Sequence, residues 1–375
     1  MKTLAVLALL LAVPTHAEVV LTAPHCDVCT AEDKAWLQAR SPTTQRIVAL
    51  IDGARATLDA AQFTFSVRAI EEALLRAHTR GIKVRLALDA GQQGADTAGA
   101  RLAAAGVPVR FVTGQTRGQG AGLQHAKYLL VDGRALAAGS GNWSSTGTTI
   151  NDESLIIQEA DDDPLIRAFA CHFNRIWDQQ PEKAGACGLP DRVAFSPSTA
   201  PITLITRAVQ GAKTSIDVLM HHLLFDKLMK ELVRARARGV RVRIVVNAAD
   251  RDETRGAGWD HLRGAGVEIT SHQRGNPDPL PAPATWLAIV DGRTLLHGSG
   301  NWSGSAFFNN YEFFVRHEDE GGSPPSASAS SSSGPRPDGE AWTPASSARQ
   351  AAAATRIFFG NLHAHFSAGQ GDALG

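Results

Sequence analysis

Between residues 125 and 142 a histidine, a lysine, three glycines, a serine and an asparagine stand at short intervals: "HAKYLLVDGRALAAGSGN". Read as a strand, residues two apart face the same way, so His125 and Lys127 present an imidazole and an ammonium on one surface. Asp132-Gly133 is a strong hairpin signal, and the returning strand brings Gly139, Ser140, Gly141 and Asn142 back beside them. Glycine admits a close backbone, while serine and asparagine donate hydrogen bonds to an anion. A nucleophile, a cation and donors converging on one spot suit attack on a phosphate ester.

A second copy, "PATWLAIVDGRTLLHGSGNWS", runs from residue 283 to 303. It keeps Asp291, Ser299 and Asn301, and Glu312 follows it at the distance at which Glu153 follows the first. At the charged positions it has Ala284 and Trp286, which hold no phosphate by charge and transfer no proton. The second copy is a half-site. Trp143 and Trp302, one after each asparagine, read as packing residues beneath the loops.

The elements that carry these residues are themselves duplicated. "TLDAAQFTF" reads as a strand, "RAIEEALLRAHTRG" as an amphipathic helix closed by Gly81, and "IKVRLALD" as a second strand. "SIDVLMHHLLF", "DKLMKELVRARARG" and "VRVRIVVN" repeat that order, followed by "AGVPVRFV" and "AGVEITSH", the two motif hairpins, then "NDESLIIQ" and "NYEFFVRH". The expectation is an α/β fold of two pseudo-twofold-related repeats, each a mixed β-sheet flanked by α-helices. "PLIRAFACHFNRIWD" and "ATRIFFGNLHAHF" would be the matching C-terminal helices. Repeat 1 is expected over 44–190 and repeat 2 over 191–375, with a Ser/Pro/Gly-rich insertion at 319–350 too poor in apolar residues to pack.

The first motif resembles that of the phospholipase D superfamily: HxK, four residues, Asp, six residues, GSxN. It fits at every fixed position, and the repeats cover most of the chain. The resemblance implies cleavage of phosphodiesters without a metal or other cofactor, through a phosphohistidine on His125. It implies that Lys127 and Asn142 hold phosphoryl oxygens, that Ser140 assists, and that Glu153 orients the histidine. Asp132 enters the catalytic set by the same resemblance, although an aspartate in a turn kept in both copies reads more simply as a hairpin clamp. Ser299 and Asn301 would bind substrate from the second repeat.

In relatives with two intact motifs, one histidine attacks and the other protonates the leaving oxygen. The loss at Ala284 leaves three readings: a composite enzyme with another proton donor, for which His221, His222 and His297 are candidates; a homodimer pairing two first motifs; or a phosphate-binding pseudoenzyme. The first, as a monomer with two repeats, accounts best for an intact first motif. Phospholipid is the expected substrate, with DNA or RNA as the alternative. Formal net charge is zero, against the basic excess usual for binding nucleic acid without sequence preference, and "PLPAPATW" and "SAFFNN" are apolar. Arg117, in "TGQTRGQGAGLQ", is a candidate phosphate contact at the entrance.

The chain of 375 residues suffices for two domains of ordinary size. Residues 1–17, with Lys2, an apolar run and small residues at Thr15 and Ala17, read as a signal peptide for export to the periplasm or medium. The apolar run is well short of the roughly 20 residues that span a bilayer. Residues 18–43 form an N-terminal segment containing Cys26 and Cys29. In an oxidising compartment the four cysteines predict two disulfides, with three pairings open.

Overall fold

The computed structural model describes residues 17–22, 30–116, 120–149, 151, 153–247, 257–272 and 286–318. Two seven-stranded sheets are built from β1 (Ala17–Thr22), β2 (Thr57–Gln62), β3 (Lys83–Asp89), β4 (Val109–Val112), β5 (Tyr128–Val131), β6 (Ala135–Gly139) and β7 (Glu153–Glu159), then from β8 (Val193–Ser196), β9 (Ser215–Met220), β10 (Arg241–Asn247), β11 (Glu268–His272), β12 (Trp286–Val290), β13 (Thr294–Gly298) and β14 (Glu312–Glu318). The first has the order β1-β7-β6-β5-β2-β3-β4. The second, read the same way, is β8-β14-β13-β12-β9-β10-β11. Each sheet is mixed, with β2-β3-β4 and β9-β10-β11 parallel and the other neighbours antiparallel. The duplication extends to individual contacts. Asp59 on β2 faces Arg85 on β3 across a bidentate ion pair, and Asp217 faces Arg243 at the same register of the second sheet.

Amphipathic periodicity places the helices as expected. Arg68–Thr79 buries Ile70, Ala73, Leu74 and Ala77 against the first sheet, and Asp226–Ala237 buries Leu228, Leu232 and Ala235 against the second. The helix Pro164–Trp177 lies in a third core that belongs to both repeats. Phe169 packs edge-on to Tyr128 at 5.0 Å, Phe313 at 5.0 Å and Phe195 at 5.2 Å, so one side chain touches both sheets. Burying such a ring is worth about 1.5–3 kcal/mol, which makes the repeats energetically dependent on each other.

One expectation needs revision and several fall elsewhere. The first sheet takes its edge strand β1 from Ala17–Thr22, and helices Ala31–Arg40 and Pro42–Gly53 follow, so structure belonging to the first repeat begins well before residue 44. Val19 and Val20 in "AEVVLT" are the β-branched signal for that strand. One predicted disulfide joins Cys171 to Cys187, whose Cα atoms are 5.6 Å apart. Cys26, Cys29, Arg117, Ala284, the insertion at 319–350 and "ATRIFFGNLHAHF" lie outside the described residues. Among the described residues no helix is long and apolar enough to cross a membrane.

Candidate active site

The segment carrying His125 is fixed from both repeats. Within the first, Gln124 N–H donates to Asp89 at the end of β3, and the Gln124 side chain bridges to the N–H and C=O of Ala126. From the second, Tyr311 C=O accepts the His125 N–H at 3.1 Å, and Leu123 C=O accepts the Tyr311 N–H at 2.9 Å. Gly122 has to be glycine, because a Cβ there would lie 2.1 Å from the carbonyl oxygen of Asn309. Residues 309–312 are thus the other half of the histidine's setting.

His125 Nδ1 lies 2.8 Å from Oε1 and 3.0 Å from Oε2 of Glu312. A carboxylate only accepts, so Nδ1 carries the proton and Nε2 keeps its lone pair. The orienting carboxylate expected at Glu153 is therefore corrected to Glu312. Glu153 instead accepts from Ser140 Oγ at 2.6 Å and Asn151 Nδ2 at 3.2 Å. Glu312 has the matching pair, Ser299 at 2.6 Å and Asn310 at 3.2 Å, plus the imidazole. The two glutamates are pseudo-equivalent, but it is Glu312 that reaches the histidine of the opposite repeat.

The imidazole makes their electrostatics diverge. Burial raises both carboxyls, but for Glu312 the adjacent His125, Lys127 and the Ser299 hydroxyl outweigh it and hold the group below its ordinary value. For Glu153 burial wins over Ser140, Asn151 and Lys127, and its carboxyl is held above the ordinary value. Phe63, which sequence reasoning did not single out, packs its ring 4.7 Å from the His125 ring. Its position directly after β2 was the only available signal.

Lys127 is buried, its Nζ bonded to the His125 carbonyl and 5.5 Å from the Phe63 ring centre. Burial lowers its pKa to about 8 against the opposing pull of Glu312, Glu153 and Asp89. If this ammonium holds substrate, kcat/KM falls as pH rises through about 8, since the neutral amine no longer attracts an anion. A pH profile on a nitrophenyl phosphodiester, whose leaving group needs no acid, checks this. Lys127→Arg, charged throughout, should keep its residual activity flat over that range.

Ser140 and Ser299 differ from their expected role as substrate donors. Each spends its hydroxyl proton on its own repeat's glutamate and accepts a backbone N–H, from Ser154 and Phe313 respectively. They position carboxylates. Gly139 permits the close crossing this needs, since a Cβ there would lie 2.0 Å from Ser154 O. Asn142 and Asn301 are half-buried, and each side-chain oxygen accepts a backbone N–H, from Thr64 at 3.4 Å and His222 at 3.2 Å. That leaves both amide nitrogens as donors for an anion.

Asp132 is not at the site. It occupies the hairpin turn at the far end of β5, with φ at 53°, and its carboxylate accepts the N–H groups of Arg55, Ala56 and Thr57 at 2.7–2.8 Å. Asp291 does the same for Lys213, Thr214 and Ser215. Asp132→Ala should lower stability by about 1–3 kcal/mol in urea titrations while kcat per folded molecule stays near wild type. Trp286, at the second lysine position, is buried in the second core against Trp302 and Phe314. Trp143 and Trp302 are buried as well, as their packing reading requires. His297 is locked inside the fold, its Nε2 3.1 Å from that of His317, and is removed from the proton-donor candidates. Among the described residues no cluster of histidine, cysteine and carboxylate side chains could hold a metal ion.

Known proteins resemble this chain in sequence and in fold. Mitochondrial cardiolipin hydrolase of Xenopus tropicalis is 33% identical over 135 residues, covering 36% of this chain and 60% of the relative. The Homo sapiens protein of the same name is 31% identical over 168 residues, covering 44% and 64%. The chain therefore spans less than two thirds of the length of these relatives. A solved phosphatidylserine synthase of Haemophilus influenzae shares the fold, with a TM-score of 0.58 at 12% identity over 82% of this chain and 83% of that one. The family model described as "Cardiolipin synthase, PLD-like domain" matches residues 47–177 and 205–328, more than half of the chain, one match on each repeat. The chain belongs to this family of phospholipase D-like phosphodiesterases.

Proposed function

We propose that the protein is an exported hydrolase of phospholipid phosphodiester bonds, with cardiolipin and related anionic glycerophospholipids as its substrate class. The observation that carries the reading is the His125–Glu312 contact, made across the two repeats beside the buried Lys127 ammonium. In the first step Nε2 of His125 bonds to phosphorus as the bond to the leaving oxygen breaks, and Glu312 stabilises the imidazolium character that forms at Nδ1. In the second, water attacks phosphorus and the P–N bond breaks, which returns His125 and releases a phosphomonoester. Lys127 and the Asn142 and Asn301 amides neutralise the phosphoryl oxygens throughout.

A lipid substrate is supported by the names of the relatives and by exposed apolar side chains close in sequence to site residues. Leu123, two residues before His125, is 37% exposed, and Leu224, two after His222, is 45% exposed. Side chains of this kind favour an apolar surface over water. The test is to incubate the purified chain with chelator and vesicles containing cardiolipin labelled at phosphorus, quench in base, and map bound phosphate. Acid-labile label on the peptide containing His125, with chelator-resistant turnover, is the expected result. Turnover confined to single-stranded DNA, or abolished by chelator, would sink the proposal.

A further inference from the structure

We propose that His221 is the proton donor to the leaving oxygen, supplied by the second repeat in place of the histidine that Ala284 lacks. The assignment rests on the hydrolytic reading of His125 given above. In an in-line displacement the leaving oxygen departs opposite the attacking atom, so its acid must come from the side away from His125. An alkoxide leaves poorly without a proton, and the histidine position of the second motif is occupied by alanine.

The register of the two sheets shows which residue of the second repeat takes the place of Phe63. Gln62 ends β2 as Met220 ends β9, with β5 and β12 as their antiparallel partners. The following loops superpose contact by contact: Thr64 N–H and His222 N–H donate to Asn142 and Asn301, and Phe65 and Leu223 bridge to Trp143 and Trp302. Phe63 therefore corresponds to His221. Since the Phe63 ring lies 4.7 Å from the His125 ring, the matching ring of the second half-site is a titratable imidazole. The first repeat sets an apolar ring over a histidine, and the second sets a histidine where its motif has lost one.

The other histidines compete poorly. His297 is sealed against His317, and His172 is sealed against the Tyr128 hydroxyl at 3.1 Å. His221 and His222 are half-buried with ring centres 4.0 Å apart, but His222 corresponds to Thr64, which makes no ring contact with the nucleophile. In the reaction protonated His221 gives its proton to the leaving oxygen as the P–N bond forms. It then takes a proton from the attacking water as that bond breaks, so the cycle closes with His221 protonated and the net consumption of one water.

The experiment compares two substrates of different leaving group, a short-chain phosphatidylglycerol that expels an alkoxide and bis(p-nitrophenyl) phosphate that expels a stable phenolate. His221→Ala and His221→Phe, the latter copying the ring of the first repeat to preserve packing, should lose about 10²–10⁴-fold on the lipid and less than about tenfold on the nitrophenyl ester. Melting curves confirm that both variants are folded. Equal losses on both substrates, or none on either, overturn the assignment. So does a lipid-selective loss in Glu153→Gln with His221→Ala unaffected. His125→Ala is the control for the underlying reading: wild-type rates in that variant overturn the histidine mechanism itself, whereas its failure on both substrates beside unchanged His221 variants overturns only the acid.

Discussion

His125→Ala should lower kcat on either class of phosphodiester by about 10⁴–10⁶-fold, the range seen when a covalent nucleophile is removed from a site whose other groups remain. The residual rate would come from Lys127 and the two asparagine amides, which still bind and polarise the phosphoryl group. Stability should change little. The His125 side chain is 20% exposed and fills no core, and Glu312 keeps its bonds from Ser299 and Asn310 after the imidazole is gone. Steady-state rates measured beside a thermal melt check both halves of this expectation. A variant within about tenfold of wild type would show that the attacking group lies elsewhere.

The duplication was legible because it is written in local signals. Alternation, amphipathic helices and Asp-Gly turns repeat in the same order, and the mixed sheets follow from them. The half-site character of the second motif was equally plain, since Ala284 and Trp286 stand where His125 and Lys127 stand. What remained hidden is the crossing between repeats. Glu153 and Glu312 occupy identical places in their own motifs, so spacing alone pairs His125 with the nearer one. The pseudo-twofold arrangement pairs it with the farther one, because Asn310 and Tyr311 of the second repeat bind the backbone of Leu123 and His125.

The serines illustrate a second limit. GSGN looks like an anion-binding turn, and its asparagines fit that reading, but each serine hydroxyl is committed to a buried carboxylate across the crossing strands. A hydroxyl both donates and accepts, so residue type gives no preference between substrate and protein as its partner. Phe63 and β1 were hidden for a simpler reason. Their roles depend on which strand ends lie together, and a single apolar residue or a six-residue run carries no such address.

Glu312→Gln should be the most informative change at the crossing, with kcat lowered by about 10²–10⁴-fold and KM nearly unaltered. Glutamine has the same size and can still accept from Ser299, so the local packing survives. It carries no charge to stabilise an imidazolium, and its amide N–H₂ can donate to Nδ1 and turn the lone pair of His125 away from phosphorus. An aspartate-to-asparagine change in the serine protease triad has a comparable cost for the same reason. Glu153→Gln provides the contrast within one molecule: its carboxylate holds Ser140 and Asn151 but no imidazole, so kcat should stay within about tenfold. Parallel kinetics on the two variants decide which glutamate serves the nucleophile. Equal losses would contradict the crossed pairing, and a larger loss at Glu153 would return the histidine to the carboxylate of its own repeat.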